Sequence, residues 1–447
     1  MVEKIIMKCE YYNLSAPTQT TQYTGIYLYH LLIKSGFEIV KEANIIFCTV
    51  SDADSYISLR QLRRKNKTKK IICGGFEGYA GEWMLAFADV VVAGKGERFI
   101  YEFGKQKEIP FNLPEIYTKD TIEKYYTIPY EEVDIDKYPI IQVSKGLFYG
   151  VHGFGCKAKC AFCLTSWAQK HRTADNEKLM INKIPKNKKL NLIANDYDTF
   201  KHGEIVNARS MRIKDILEAV DRGTVTKNTF GGRYSMLHLG IEGFTEEIRS
   251  KLGKPIKSLE IKRILELFGE YRQQCELFFI SGIPGDGGIE SINELFPFDS
   301  KKYPRIFIKF TTLNPCPQTP MWGIPVTDIG ELTQQKVDKW YNSFALKNNR
   351  RLRTFRIRTP AREHWRTMLR RCNPDDSIKL GCPPNPYESQ SDYFKKIMTM
   401  GLGHLIDFNG VEGFPNSHIK GPFYDSIIQG SKKWGYEIRY RKNLQFL

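Results

Sequence analysis

Cys156, Cys160 and Cys163 stand in the run Gly155-Cys-Lys-Ala-Lys-Cys-Ala-Phe-Cys163, a C-x3-C-x2-C spacing that brings three thiols to one loop and no fourth. Thiolates are soft ligands suited to iron–sulfur clusters and zinc. A [4Fe–4S] cluster ordinarily takes four cysteines, so a loop with three leaves one iron open to a different ligand. Structural zinc is the competing chemistry, but it prefers two paired half-sites of C-x2-4-C or H-x3-5-H type. Here His171 stands alone and Cys275 lies far along the chain. A buried thiol cluster without metal is the third reading.

With Phe162 placed before the last cysteine, the loop resembles that of the radical S-adenosylmethionine (SAM) superfamily. The resemblance implies a [4Fe–4S] cluster on Cys156, Cys160 and Cys163 that chelates the methionine end of SAM and is shielded by Phe162. It also implies a one-electron donor such as a flavodoxin or ferredoxin. One electron passed to the sulfonium releases a 5′-deoxyadenosyl radical, which abstracts hydrogen from an unactivated C–H bond.

Further runs keep the order of that superfamily. Lys189–Ala194 reads as a strand leading to Asn195-Asp196-Tyr197-Asp198, where many relatives have Gly-Gly-Glu for the SAM amino group. Asn195 and Asp196 either substitute there or cap the loop. Met236-Leu-His-Leu-Gly-Ile-Glu242-Gly243 with Leu252-Gly-Lys-Pro255 resembles the fourth strand and helix, which assigns Glu242 to the SAM ribose or carboxylate. Phe278-Phe-Ile-Ser-Gly-Ile-Pro-Gly285-Asp286 resembles the fifth strand, whose glycines, Gly282 and Gly285, allow close approach to adenine. Ile306–Phe310 followed by Thr311-Thr-Leu-Asn-Pro-Cys316-Pro-Gln-Thr-Pro320 resembles the sixth. These runs imply a partial (βα)6 barrel over residues 139–335, abbreviated between Val220 and Met236.

Ahead of the barrel, residues 1–105 alternate apolar runs and helical segments: Val2–Lys8, Asn44–Val50, Lys69–Cys73 and Asp89–Val92 as strands, Thr21–Lys34 and Gly96–Phe103 as helices. That alternation predicts a doubly wound parallel sheet of Rossmann-like type, with residues 106–138 as connector. Ile-Ile-Cys73-Gly-Gly75 and Ala-Asp-Val-Val-Val-Ala-Gly-Lys-Gly96-Glu97 resemble the N-terminal domain shared by cobalamin-binding radical SAM enzymes and methylthiotransferases. The Asp-x-His-x-x-Gly cobalt signature is missing, and His30, inside an expected helix, is the only histidine before residue 150. Cobalamin held by a histidine is therefore not expected; a base-off mode stays open.

Cys9, Cys48 and Cys73 fall at or near expected strand ends, where open α/β sheets place ligands. Methylthiotransferases hold a second cluster on cysteines in similar places. Cys73, however, precedes its glycines instead of following one, which turns its side chain to the other face. Three ordinary buried cysteines are the alternative.

The chain has 447 residues and a formal net charge of +17, with 41% hydrophobic and 26% charged residues. That suits a soluble globular protein of two or three domains, and the charge suggests a polyanionic partner such as nucleic acid. Lys347–Arg371 holds ten Lys or Arg against Glu363 alone. Thr359-Pro360 predicts a helix over Pro360–Cys372 with Arg362, Arg366 and Arg370 on one face. Together with Arg351, Arg353, Arg356 and Arg358 they read as phosphate contacts, with Phe355, His364 and Trp365 interleaved where they could stack on bases. The alternative is a solvated face, or arginines paired with acids from elsewhere. Residues 336–447 as a whole read as a small basic α+β region.

The expected fold class is thus α/β, and the expected activity is radical C–H modification or rearrangement of a base in tRNA or hypermodified DNA. Other readings are methylthiolation with a second cluster, cobalamin-type chemistry on a small molecule or peptide, and a non-enzymatic zinc and nucleic-acid binding module. With no signal-peptide pattern and no apolar run near the ~18 residues of a membrane span, a cytoplasmic location and no membrane partner are expected. Ten cysteines fit its reducing environment.

Overall fold

The computed structural model describes residues 6–79, 81–94, 96–122, 138–170, 172–173, 185, 188–193, 212–226, 229–230, 236–296, 305–326, 332, 334–345, 352–354, 360–385, 388–406, 411–414 and 422–440. Short apolar runs build its first sheet from Met7–Asn13 (β1), Phe37–Ile39 (β2), Ile45–Thr49 (β3), Lys70–Gly75 (β4), Val90–Ala93 (β5) and Ile116–Tyr117 (β6). The strand order is β2-β1-β3-β4-β5-β6, parallel except for β6. Helices on both faces explain why β5 reads as an unbroken apolar run. Gln19–Lys34 (α1) and Glu97–Gln106 (α3) pack on one face through Leu32, Phe99 and Phe103, and Tyr56–Lys65 (α2) on the other through Tyr56, Leu59 and Leu62. The sheet takes its sixth strand from the segment read as connector.

Ahead of the cysteine loop lies a hairpin, Ile141–Ser144 (β7) and Leu147–Val151 (β8), with Lys189–Ile193 (β11) parallel to β8. A short antiparallel pair follows the hairpin, Gly153–Phe154 (β9) with Arg172–Thr173 (β10). Met236–Glu242 (β12), Gln274–Ser281 (β13), Ile306–Thr312 (β14) and Leu352–Thr354 (β15) form a separate parallel sheet in that order. Among the described residues these sheets do not join into a closed barrel.

Side chains alternate along a strand, and here the alternation divides core from cavity. Leu237, Leu239, Ile241, Leu277, Phe279, Ile308 and Phe310 pack with the helix Ser258–Glu270. Gly240, Glu242, Phe278, Ile280 and Thr311 line a cavity.

The helix Pro360–Arg371 lies between the N-terminal domain and the segment after β14, with Trp365, Met368 and Leu369 fully buried. Gly81, at φ +149°, permits that approach: a Cβ there would stand 2.8 Å from the Arg370 carbonyl oxygen. Val411–Phe414 (β16) and Ile438–Tyr440 (β17) pair in parallel near the C-terminus. No helix among the described residues is long and apolar enough to cross a membrane.

Candidate active site

The cysteine loop follows β8 and β9 and runs into the helix Leu164–Ala168 (α4). Its backbone is tied on several sides. The Ala161 N–H donates to Leu252 O at 2.9 Å, the Met321 N–H donates to Ala161 O at 3.2 Å, and Trp167 Nε1 donates to Cys160 O at 2.9 Å. So held, Cys156, Cys160, Phe162 and Cys163 line one wall of a cavity of about 890 Å³. All three thiols are free. Burial pushes the Cys160 thiol up to about 12, while Lys254 pulls in the opposite direction.

Among the described residues no three His, Cys, Asp or Glu side chains converge to hold a single metal ion. A [4Fe–4S] cluster is itself several ångströms across. Three unpaired soft donors on one wall, facing open space, fit such a group as a donor set.

Glu242 ends β12, at a break in register after Gly240, with φ +71°. A non-glycine residue in that region costs about 1–3 kcal/mol, and the surroundings hold it there. Lys254 Nζ donates to Glu242 Oε1 at 2.8 Å and to Gly240 O at 3.1 Å. A Cβ at Gly240 would collide with both charged groups, so the glycine keeps their space open. Burial works against the Lys254 charge, but the Glu242 carboxylate and the nearby Cys160 thiol outweigh it and raise the pKa. In the sequence Lys254 carries no local sign of this role: a lysine two residues past an apolar leucine does not show that it turns back to β12.

Asn314, Glu363 and Arg366 line the same cavity. Arg366 is ion-paired with Asp54 and contacts Glu363 at 3.2 Å, and Arg362 reaches Asp54 at 3.0 Å. Arg370 holds Glu77 through two hydrogen bonds of 3.0 Å and also contacts Asn314 Oδ1 and Cys316 Sγ.

Arg366 and Arg370, with side chains 11% exposed, are thus turned inward and answered by carboxylates, and do not form the exposed phosphate contacts expected of them, whereas Arg362, also paired with Asp54, stays 42% exposed. His364 is fully buried and stacks on Phe394 at 5.3 Å, while the fully buried Trp365 donates to Gly381 O, so neither can stack on bases. Arg351, Phe355, Arg356 and Arg358 lie outside the described residues, and Arg353 is described only as part of β15.

Other expected site residues separate. Asn195 and Asp196 lie outside the described residues. Gly282 and Gly285 line a different cavity of about 630 Å³, with Lys336 and Trp340. Beside them, Asp286 accepts from the Phe244, Thr245 and Gly287 N–H groups and so fixes the turn after β12.

The proposed cysteine trio at the auxiliary site also divides. Cys48 and Cys73 are cross-strand neighbours with sulfurs 3.0 Å apart. β1 starts later than expected, so the residue level with Cys48 is Tyr12, and Cys9 lies three residues earlier. An odd offset puts Cys9 on the opposite face, among Leu32, Phe37 and Phe103, where burial raises its thiol to about 12.

A further cavity of about 410 Å³ lies between the strand ends of the N-terminal sheet and α4, lined by Tyr11, Thr49, Gly75, Tyr138, Phe154 and Thr165 among others. No histidine, lysine or arginine is among its described lining residues.

The fold so described is α/β with parallel sheets. No family model and no curated protein matches the chain. Solved structures similar to it include the radical SAM methyltransferase TsrM from Kitasatospora setae, bound to tryptophan substrate and a SAM analogue (TM-score 0.47, 13% identity, 70% of this chain and 74% of that one). They also include the cobalamin-dependent SAM radical enzyme OxsB with aqua-cobalamin and SAM bound (TM-score 0.39, 14% identity, 65% and 51%). The chain spans about half the length of OxsB.

Proposed function

We propose that this protein is a radical SAM enzyme. The observation that carries the reading is the pairing of two walls: three free thiols and Phe162 on one side of a cavity, the Glu242–Lys254 ion pair in the same cavity. Cys156, Cys160 and Cys163 would hold a [4Fe–4S] cluster, which when bound supplies one electron to a sulfonium co-substrate. Glu242 and Lys254 present opposite charges side by side, complementary to the zwitterionic amino-acid end of SAM. Lys254 takes the carboxylate and Glu242 the ammonium group or ribose. Phe162 shields the thiols from water.

The reaction is C–H modification or rearrangement. A small molecule that fits a cavity of about 890 Å³ is the first reading. A nucleic acid, for which the +17 charge speaks, would have to present a single extruded base, at a cost of a few kcal/mol. No step is derived through cobalamin or through a second cluster.

Anaerobic reconstitution with iron and sulfide, chemical reduction and an assay for 5′-deoxyadenosine test the proposal. The parent should form deoxyadenosine, and the triple Cys→Ala variant at 156, 160 and 163 should form none. Equal product from the triple variant would remove the reading.

A further inference from the structure

Along β12 the wall of the cysteine cavity carries His238, Gly240 and Glu242, every second residue and so one face of the strand. At about 3.3 Å per residue, His238 stands roughly 13 Å along the strand from Glu242. Cys160 belongs to the Glu242 end, where it acts on the Lys254 charge. His238 therefore marks a second polar station in the same cavity. Ion pairs elsewhere close within the lining itself: Lys254 with Glu242, Arg366 with Glu363, and Arg212 with Asp215 at 3.9 Å. The carboxylate that answers His238 stands behind the lining instead. Glu276, its register partner on β13, is buried, with Oε2 at 3.7 Å from His238 Nε2 and Oε1 at 3.7 Å from Lys309 Nζ. Both distances exceed hydrogen-bond reach. Phe278, which lines the cavity, is flanked by the same two residues: the His238 ring meets it edge-on at 5.7 Å, and Lys309 Nζ lies 5.2 Å from its centroid.

We propose that His238 binds the carboxylate of a small monocarboxylic substrate whose reacting C–H bond points toward the cysteine end of the cavity. This rests on the radical SAM reading and concerns the substrate, not the co-substrate. The side chain is 36% exposed, so the imidazole is within reach of a molecule in the cavity. Either protonation state of the ring carries an N–H donor, and the charged state carries two. Glu276 and Lys309 offset each other behind the lining, so the charge that His238 can bring to the cavity is positive. Phe278 beside it offers apolar surface to the rest of an organic acid. A buried carboxylate is unfavourable unless it is paired, and the packing of β13 does not call for one, since Cys275 and Leu277 on the other face supply the core. Glu276 is thus a positioning residue that holds His238. At about 890 Å³ the cavity lies near the upper end of small-molecule sites, about 300–1,000 Å³, which suits a substrate lying beside a co-substrate.

The test titrates the anaerobically reconstituted protein, with SAM present, with benzoate, phenylacetate and hexanoate, each against its primary amide. The parent, His238→Gln and His238→Lys are compared, and deoxyadenosine formation by the parent is measured alongside. In the parent at least one acid should bind about tenfold more tightly than its amide, the scale of one hydrogen bond to a charged group. His238→Gln should bring that ratio to within about twofold. His238→Lys, which puts a cation back at the same place, should recover most of the preference. Acids that bind no more tightly than their amides overturn the inference, and so does a preference that persists in His238→Gln. A preference lost equally in both variants assigns His238 to holding the sheet and overturns it too. A parent that prefers acids but forms no deoxyadenosine removes the functional reading alone, whereas one that forms deoxyadenosine and treats acids and amides alike removes this inference alone.

Discussion

The cysteine loop and the arginine helix are both compact runs of chemically distinctive residues, yet folding treats them in opposite ways. The loop keeps Cys156, Cys160 and Cys163 on a cavity wall with their thiols free. The helix turns Arg362, Arg366 and Arg370 against Asp54, Glu363 and Glu77. A ligand set contained in eight consecutive residues carries its own meaning into the fold. A row of charges takes its meaning from whatever counter-charges arrive, and here most of them come from about 300 residues away.

Breaking the helix's pairing should have the largest effect. Glu77 is fully buried, so Glu77→Ala leaves the Arg370 guanidinium buried without its carboxylate. Such a loss costs about 3–5 kcal/mol, to be read from chemical denaturation. Replacing both partners, Glu77→Leu with Arg370→Met, should recover much of it, since an apolar pair avoids the desolvation of two charges. A loss of only a few tenths of a kcal/mol in the single variant would return this helix to solvent.

A smaller effect concerns His364 on the same helix. Burial, with Arg371 adding to it, pushes its pKa down to about 3. The unfolded chain takes up that proton near pH 6.5, whereas the folded one does so only near 3, so this term is present in full above 6.5 and is lost as pH falls. The loss approaches about 1.4 kcal/mol per pH unit below that point. His364→Phe should flatten the fall in stability between pH 6 and 5 relative to the parent; parallel curves would mean that the ring is protonated in the folded state.

The smallest effect belongs to Arg362, whose side chain is 42% exposed. Arg362→Gln should change stability by at most about 1 kcal/mol and leave the salt dependence of any DNA or RNA binding unaltered. A log–log slope lowered by about 0.7–0.9, one phosphate contact, would restore this residue to a nucleic-acid surface.

What was legible in the sequence follows the same division. Alternating apolar runs gave the N-terminal parallel sheet because β3, β4 and β5 are buried strands whose identity is local. The start of β1 is not local in this sense: the more apolar residues precede it, but pairing of Glu10 with Ile46 and Tyr12 with Cys48 sets where the strand runs. That shift separates Cys9 from Cys48 and Cys73, although all three lie near strand ends in the sequence. Within the site, the cysteines and Glu242 were readable from motif order. Lys254 was not, since its role depends on a turn back over Gly240. Gly282 and Gly285 were readable as turn glycines, but which cavity they open onto is a tertiary fact.

The central claim, that Cys156, Cys160 and Cys163 form the ligand set of one cluster, is tested most directly by metal and acid-labile sulfide analysis of the anaerobically reconstituted protein and its three single Cys→Ala variants. The account predicts about four irons and four sulfides per parent chain, with iron lost in each variant. Zinc in place of iron, or iron retained after any of the three replacements, would contradict it; about eight irons would contradict the separation of Cys9 from Cys48 and Cys73.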